Sequence, residues 1–214
     1  MFRYLRIKLF YRFLVPVSAH TRRNRMKWFM DFLKKSGPGE VRILDLGGQP
    51  EIWEDVERPL NITILNLPGI VVGPEASRHQ FTYVVGDGCH VDQFADQSFD
   101  IVFSNSVIEH VGDQEHQLAF AREVQRLGKR YWLQTPSIYF PVEAHSGMPF
   151  WWFYPESIRQ RLLKRWRLKL PEWTEMIEGT SVLTKEWLKH LFPDGELRTE
   201  RVMGIPKSYT IHSR

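Results

Sequence analysis

At 214 residues the chain can bury one sizeable core without disulfides or a structural metal. Its lone cysteine, Cys89, excludes an intrachain disulfide scaffold and fits a reducing compartment. The net charge of +4 is unevenly placed, because residues 1–35 hold ten Lys/Arg against one acid, Asp31. A nucleic-acid-binding surface is expected to spread its basic residues through the fold, so nucleic acid is not an expected partner.

Phe2, Leu5, Leu9, Phe10, Phe13 and Leu14 recur at helical spacing with Arg3, Arg6, Lys8 and Arg12 between them. This pattern predicts a basic amphipathic helix ending near Pro16, suited to lying on an anionic membrane surface through residues 1–17. The same pattern would serve a helix that docks on the core by its apolar face. The basic interruptions leave no run of the ~20 apolar residues that would span a bilayer, and no signal-peptide core. The cytoplasm is the expected location, with membrane association through this helix. A second helix is expected over residues 25–35, stopped by Ser36-Gly37-Pro38-Gly39, which divides an N-terminal appendage (1–38) from a single domain (39–214).

Short apolar runs then alternate with helical ones. Strands are expected at Val41–Leu46, Ile62–Leu67, Phe81–Val85, Phe99–Ser104 and Arg130–Gln134, and an amphipathic helix at Glu115–Leu127, stopped by Gly128. Such alternation implies a parallel sheet with helices on both faces, and ligands bind beyond the carboxyl ends of its strands. After the fifth strand the alternation breaks into an aromatic, helical insert of about residues 136–195, with helices expected over 155–167 and 182–192. Two closing strands, Leu197–Met203 and Ser208–His212, are close enough to be an antiparallel edge pair. Phe150-Trp151-Trp152-Phe153-Tyr154, Trp166 and Trp173 form either a lid over the pocket or a satellite cluster that packs the insert onto the sheet.

Ile43-Leu44-Asp45-Leu46-Gly47-Gly48 joins a strand to a glycine turn, with an acid one residue from the strand's end. The glycines allow a ligand close to the backbone, and the carboxylate can hold an ammonium group. With Gly86-Asp87-Gly88, Ser98-Phe99-Asp100-Ile101-Val102-Phe103-Ser104-Asn105, Val107-Ile108-Glu109-His110-Val111 and the ending Glu200 to Ser208, the chain resembles the class I S-adenosylmethionine-dependent methyltransferases, in their small bacterial-type branch. The resemblance runs from about Gly39 to the C-terminus. It implies an α/β, Rossmann-like, mostly parallel seven-stranded sheet, with S-adenosylmethionine as cofactor and no metal. It further implies that Asp45, Gly47 and Gly48 pack on the methionine part and that Asn66 faces the ribose. Asp87 would bond the adenine amino group, with Gly88 and Cys89 beside the ring, and Asn105 would lie near the transferred methyl.

Two positions depart from the family pattern: Gln49-Pro50-Glu51 continues the glycine turn, and Asn66 stands where an acid is usual. A non-catalytic binding or scaffold protein of the same fold therefore stays open beside the enzyme. A nicotinamide-binding reading needs Gly-x-Gly-x-x-Gly after the first strand, and Gly47 to Ile52 does not supply it. For the acceptor side, His145, Glu143 and His110 are the candidate bases for methylating a hydroxyl on a small-molecule or lipid- or saccharide-linked acceptor. Glu109 and His110 could equally anchor the following helix, and Glu143 and His145 could brace their loop.

Overall fold

The computed structural model describes residues 15–69, 77–143 and 147–214. Helix α1 (Val15–Lys34) leads into strand β1 (Arg42–Leu46), then β2 (Asn61–Asn66), β3 (Gln80–Val85) and β4 (Phe99–Asn105). Helix α2 (Gln114–Leu127) precedes β5 (Gly128–Pro136). The insert carries α3 (Glu156–Arg167), α4 (Pro171–Glu178) and α5 (Lys185–Leu191), and β6 (Glu196–Val202) and β7 (Ile205–His212) close the chain. The expected strands all form, within a few residues of their predicted ends. Helix α4 was not legible, because its eight residues are too few to display a period.

The strands make one sheet in the order β3-β2-β1-β4-β5-β7-β6. β1 to β5 pair in parallel, and β7 runs antiparallel to both β5 and β6. The strand order reverses direction between β1 and β4, so the crevice outside their carboxyl ends is where a ligand belongs in such a sheet.

Strand alternation divides the core into two layers. On one face Leu44, Leu46, Val102 and Leu133 pack with Phe120, Val124 and Leu127 of α2 and Leu188 of α5. On the other, Ile43, Ile62, Ile64, Ile101, Phe103 and Trp132 pack with Met26, Phe29, Phe32 and Leu33 of α1. Phe29 is fully buried and meets Trp53, Phe103 and Trp132 edge-on at 5.1–5.6 Å. The helix expected at 25–35 thus starts ten residues earlier and is built into the core. Pro16, read as a helix stop, lies within α1. Residues 1–14, which carry most of the predicted basic amphipathic helix, lie outside the described residues.

The insert has its own small core of Trp151, Leu163 and Ile177, with Trp152, Tyr154, Trp166 and Trp173 packed around it. Trp151 stacks on Trp166 at 5.4 Å, and Trp166 meets Trp173 at 5.2 Å. Trp151, Trp152, Tyr154, Trp166 and Trp173 therefore pack as a satellite cluster, Phe150 and Phe153 stay exposed, and none of these rings lines the cavity described next.

Candidate active site

Asp45 shares the α1-facing side of the sheet with Ile43, and Asn105 shares it with Phe103, because side chains on a strand alternate between faces. Together with Gly47, Gly48, Gln49, Glu51, Ile52 and Arg22 they line a cavity of about 180 Å³ at the β1/β4 switch point. That volume is below the usual range for a whole drug-sized ligand and suits one end of a larger one.

The Asp45 carboxylate is fully buried. Its Oδ2 accepts a 2.8 Å hydrogen bond from Trp53 Nε1, while Oδ1 has no hydrogen-bond partner among the described residues. Burial pushes its pKa up to about 7, and the Trp53 bond offsets this only in part. Such a group gains most from a cationic ligand. The turn beside it admits no side chain: a Cβ on Gly48 would stand 1.8 Å from Asp45 Oδ2, and Gly47 has φ +74° with a Cβ position 2.6 Å from Val107. The orphaned oxygen and the glycine cradle both fit a cofactor whose amino-acid end carries an ammonium group.

Asn66 closes β2 and is buried, but it does not line the cavity; its Nδ2 donates to the Gly48 carbonyl at 3.0 Å. The amide thus braces the glycine turn, a task that needs a donor and that a carboxylate cannot perform. Asn66→Asp is accordingly expected to loosen the turn and weaken cofactor binding severalfold rather than tighten it. Equal or tighter binding in a calorimetric titration would show that the brace is dispensable.

Asp87, Gly88 and Cys89 follow β3. Asp87 Oδ1 accepts from the Cys89 backbone N–H at 2.9 Å, and a Cβ on Gly88 would lie 2.8 Å from Phe120. Burial and the neighbouring Asp87 push the Cys89 thiol up to about 12, so it is neutral and not a nucleophile near pH 7. None of the three lines the cavity at the β1/β4 switch point.

Of the candidate bases, His145 lies outside the described residues. His110 is on the connection after β4, its Nδ1 3.3 Å from Thr180 Oγ1. Glu143 is buried on the connection after β5, with its backbone bonded to Met148 and Gly147. Glu109 is fully buried, accepts from Thr135 Oγ1 at 3.0 Å, and receives the Ser181 N–H on its carbonyl. Glu109 and His110 therefore tie the insert to the sheet. The cap of α2 is Asp113, whose carboxylate accepts from the N–H groups of Glu115 and His116.

Sequence reasoning missed Arg22. Among the described residues it is the only cation lining the cavity, and it comes from the helix read as an appendage. The signal was partial: 25, 26, 29, 32 and 33 form one buried helical stripe, and Arg22, itself exposed, stands one turn before Arg25 at the edge of that face.

Residues 70–130 match the family model of the methyltransferase domain, a span that covers β3, β4 and α2. No curated protein sequence matches the chain. Among solved structures, a Pyrococcus horikoshii protein superposes with a TM-score of 0.51 at 15% identity, covering 89% of each chain. Magnesium protoporphyrin IX methyltransferase of Synechocystis, solved with bound S-adenosylhomocysteine, gives 0.51 at 11% identity over 89% of this chain and 81% of that one. The CurJ carbon methyltransferase gives 0.52 at 12% identity over 89% of this chain and 53% of that one. At these identities the structures speak for the fold, and the family model speaks for the sequence at its centre. Residues 70–130 are thus similar to a methyltransferase domain, and the chain shares its overall fold with these solved structures, with the glycine turn and buried acid at the switch point.

Proposed function

We propose that the chain transfers the methyl group of S-adenosylmethionine to oxygen on a small-molecule or lipid- or saccharide-linked acceptor. The observation that carries this reading is Asp45: a fully buried carboxylate with one orphaned oxygen, set against a turn that has no room for a Cβ. An ammonium-bearing ligand that approaches the backbone closely satisfies both features. In the complex, Asp45 would hold the ammonium and Gly47 and Gly48 would admit the methionine chain. Asn105 would lie beside the transferred methyl, and Asp87, Gly88 and Cys89 would receive the adenine. Asn66 would serve the ribose side indirectly, through the turn it braces.

Displacement at a sulfonium depends mainly on in-line positioning, and a hydroxyl acceptor also needs its proton removed. We place that base among His110, Glu143 and His145, because the connections after β4 and β5 flank the carboxyl edge where an acceptor meets the cofactor. Titration calorimetry with S-adenosylmethionine and S-adenosylhomocysteine tests the cofactor. Saturable binding of both is expected, and no heat with either would sink the reading. Labelled cofactor screened against cell extract then tests the chemistry. Label on nitrogen or carbon would overturn O-methylation, and binding without any transfer would leave a non-catalytic cofactor-binding protein.

None of the described helices is long and apolar enough to cross a membrane. The basic amphipathic pattern of residues 1–17 supports a peripheral contact of a cytoplasmic enzyme with anionic lipid, each Lys/Arg contributing ~1 kcal/mol at such a surface. Sedimentation with anionic liposomes that survives removal of these residues would refute it.

A further inference from the structure

We propose that Arg22 anchors the carboxylate of the cofactor's amino-acid end, and that a buried polar cluster around Arg25 positions it by keying α1 to the β6–β7 edge pair. The inference rests on the methyltransferase reading above. A methionine end is zwitterionic, so a site that holds it needs an anion and a cation at the same place. The cavity offers Asp45 as the buried anion and Arg22 as the one cation lining it among the described residues. Arg22 lines the cavity and is exposed, so it escapes the desolvation that Arg25 bears one turn later.

Polar contacts add to the apolar packing of Met26 and Phe29 in fixing the rotation and height of α1 at this point. Arg25 is buried, with Nη1 3.6 Å from Glu200 Oε2 and 3.5 Å from Ser208 Oγ. Ser208 Oγ donates to the same Glu200 oxygen at 2.7 Å. Lys207 Nζ donates to Thr21 Oγ1 at 2.7 Å and lies 3.9 Å from Glu200 Oε2. Thr21 and Arg25 thus bracket Arg22 on the helix, Thr21 tied to β7 and Arg25 to both β6 and β7. A truncated partner leaves a buried charge uncompensated, so the helix has one seating rather than several. Arg22 is a ligand in this scheme; Arg25, Thr21, Lys207 and Glu200 are positioning residues.

The test compares two probes at pH 8, where Asp45 is mostly ionised: S-adenosylhomocysteine, and 5′-methylthioadenosine, which keeps the nucleoside thioether and lacks the amino-acid end. Arg22→Met should weaken S-adenosylhomocysteine about tenfold or more and leave methylthioadenosine within about twofold, and Arg22→Lys should recover part of the loss. Arg25→Met should show the same selectivity with a smaller loss. Should it not fold, Thr21→Val removes the Lys207 bond without touching the buried charges and carries the same expectation. Equal weakening of both probes in Arg22→Met, or no change in either, would overturn the anchor. Weakening of both probes alike in Arg25→Met or Thr21→Val would overturn the positioning role. A wild-type chain that binds neither probe would sink the methyltransferase reading itself, and this inference with it, which is a different outcome from a variant that fails alone.

Discussion

Asp45→Asn is expected to remove most cofactor affinity while making the ligand-free protein more stable above pH 7. The two effects have one cause. Asp45 is fully buried, and its folded pKa of about 7 stands well above the ordinary 3.8. An acid whose folded pKa is raised holds its proton more tightly in the fold than in the unfolded chain. Its contribution is therefore fully present below about pH 4 and is lost as pH rises through about 7. Above that, ionising the buried group costs on the order of 4 kcal/mol, and the amide does not incur this cost. The amide can still accept from Trp53 Nε1, so the 3₁₀ turn at Pro50–Trp53 should stay in place.

Affinity moves the other way. An ammonium group prefers the ionised carboxylate, so wild-type binding should strengthen as pH rises from 6 to 8 and level off above. In Asp45→Asn that pH dependence should vanish, with affinity about tenfold to a hundredfold lower at pH 8. Calorimetric titration across this range, with thermal unfolding of the ligand-free protein at pH 5 and pH 8, measures both halves. Unchanged affinity at pH 8 would mean that the ammonium is held elsewhere.

Gly48→Ala should abolish cofactor binding outright. The new Cβ would lie 1.8 Å from Asp45 Oδ2 and 2.0 Å from its carboxyl carbon, inside any contact distance. Neither side yields cheaply. The carboxylate is enclosed and bonded to Trp53, and the Gly48 carbonyl is held by Asn66. Either the acid swings out and forfeits the Trp53 bond, or the turn moves off β1 and the Gly47 N–H loses its 2.8 Å bond to the Leu65 carbonyl. A loss of about 1–3 kcal/mol in folding stability is expected for leaving such buried groups unpaired. Denaturant unfolding and a cofactor titration check it together. A stable variant that binds normally would show that the turn is softer than its packing implies.

The sequence by itself determined the strands, their faces and the acid-glycine turn. These depend on neighbours a few residues apart: alternation puts Ile43 and Asp45 on one side and Leu44 and Leu46 on the other, and the φ of +74° at Gly47 favours glycine. The antiparallel closing pair was legible for the same reason, since a short connection permits no crossover. What α1 does was decided by the tertiary structure alone. Its apolar residues could be counted, but which sheet face they cover follows from the strand order, and that order carries Arg25 to Ser208, 183 positions away, and Arg22 to the cavity. Asn66 belongs to the same class. Its place at the end of β2 was evident, yet its amide is committed to the Gly48 carbonyl only because β1 and β2 pair in parallel with Asp45 beside Ile64 and Leu46 beside Leu65. Local periodicity records which side of an element is buried. It does not record what is buried against it, and in this chain the charge balance of the site depends on that second fact.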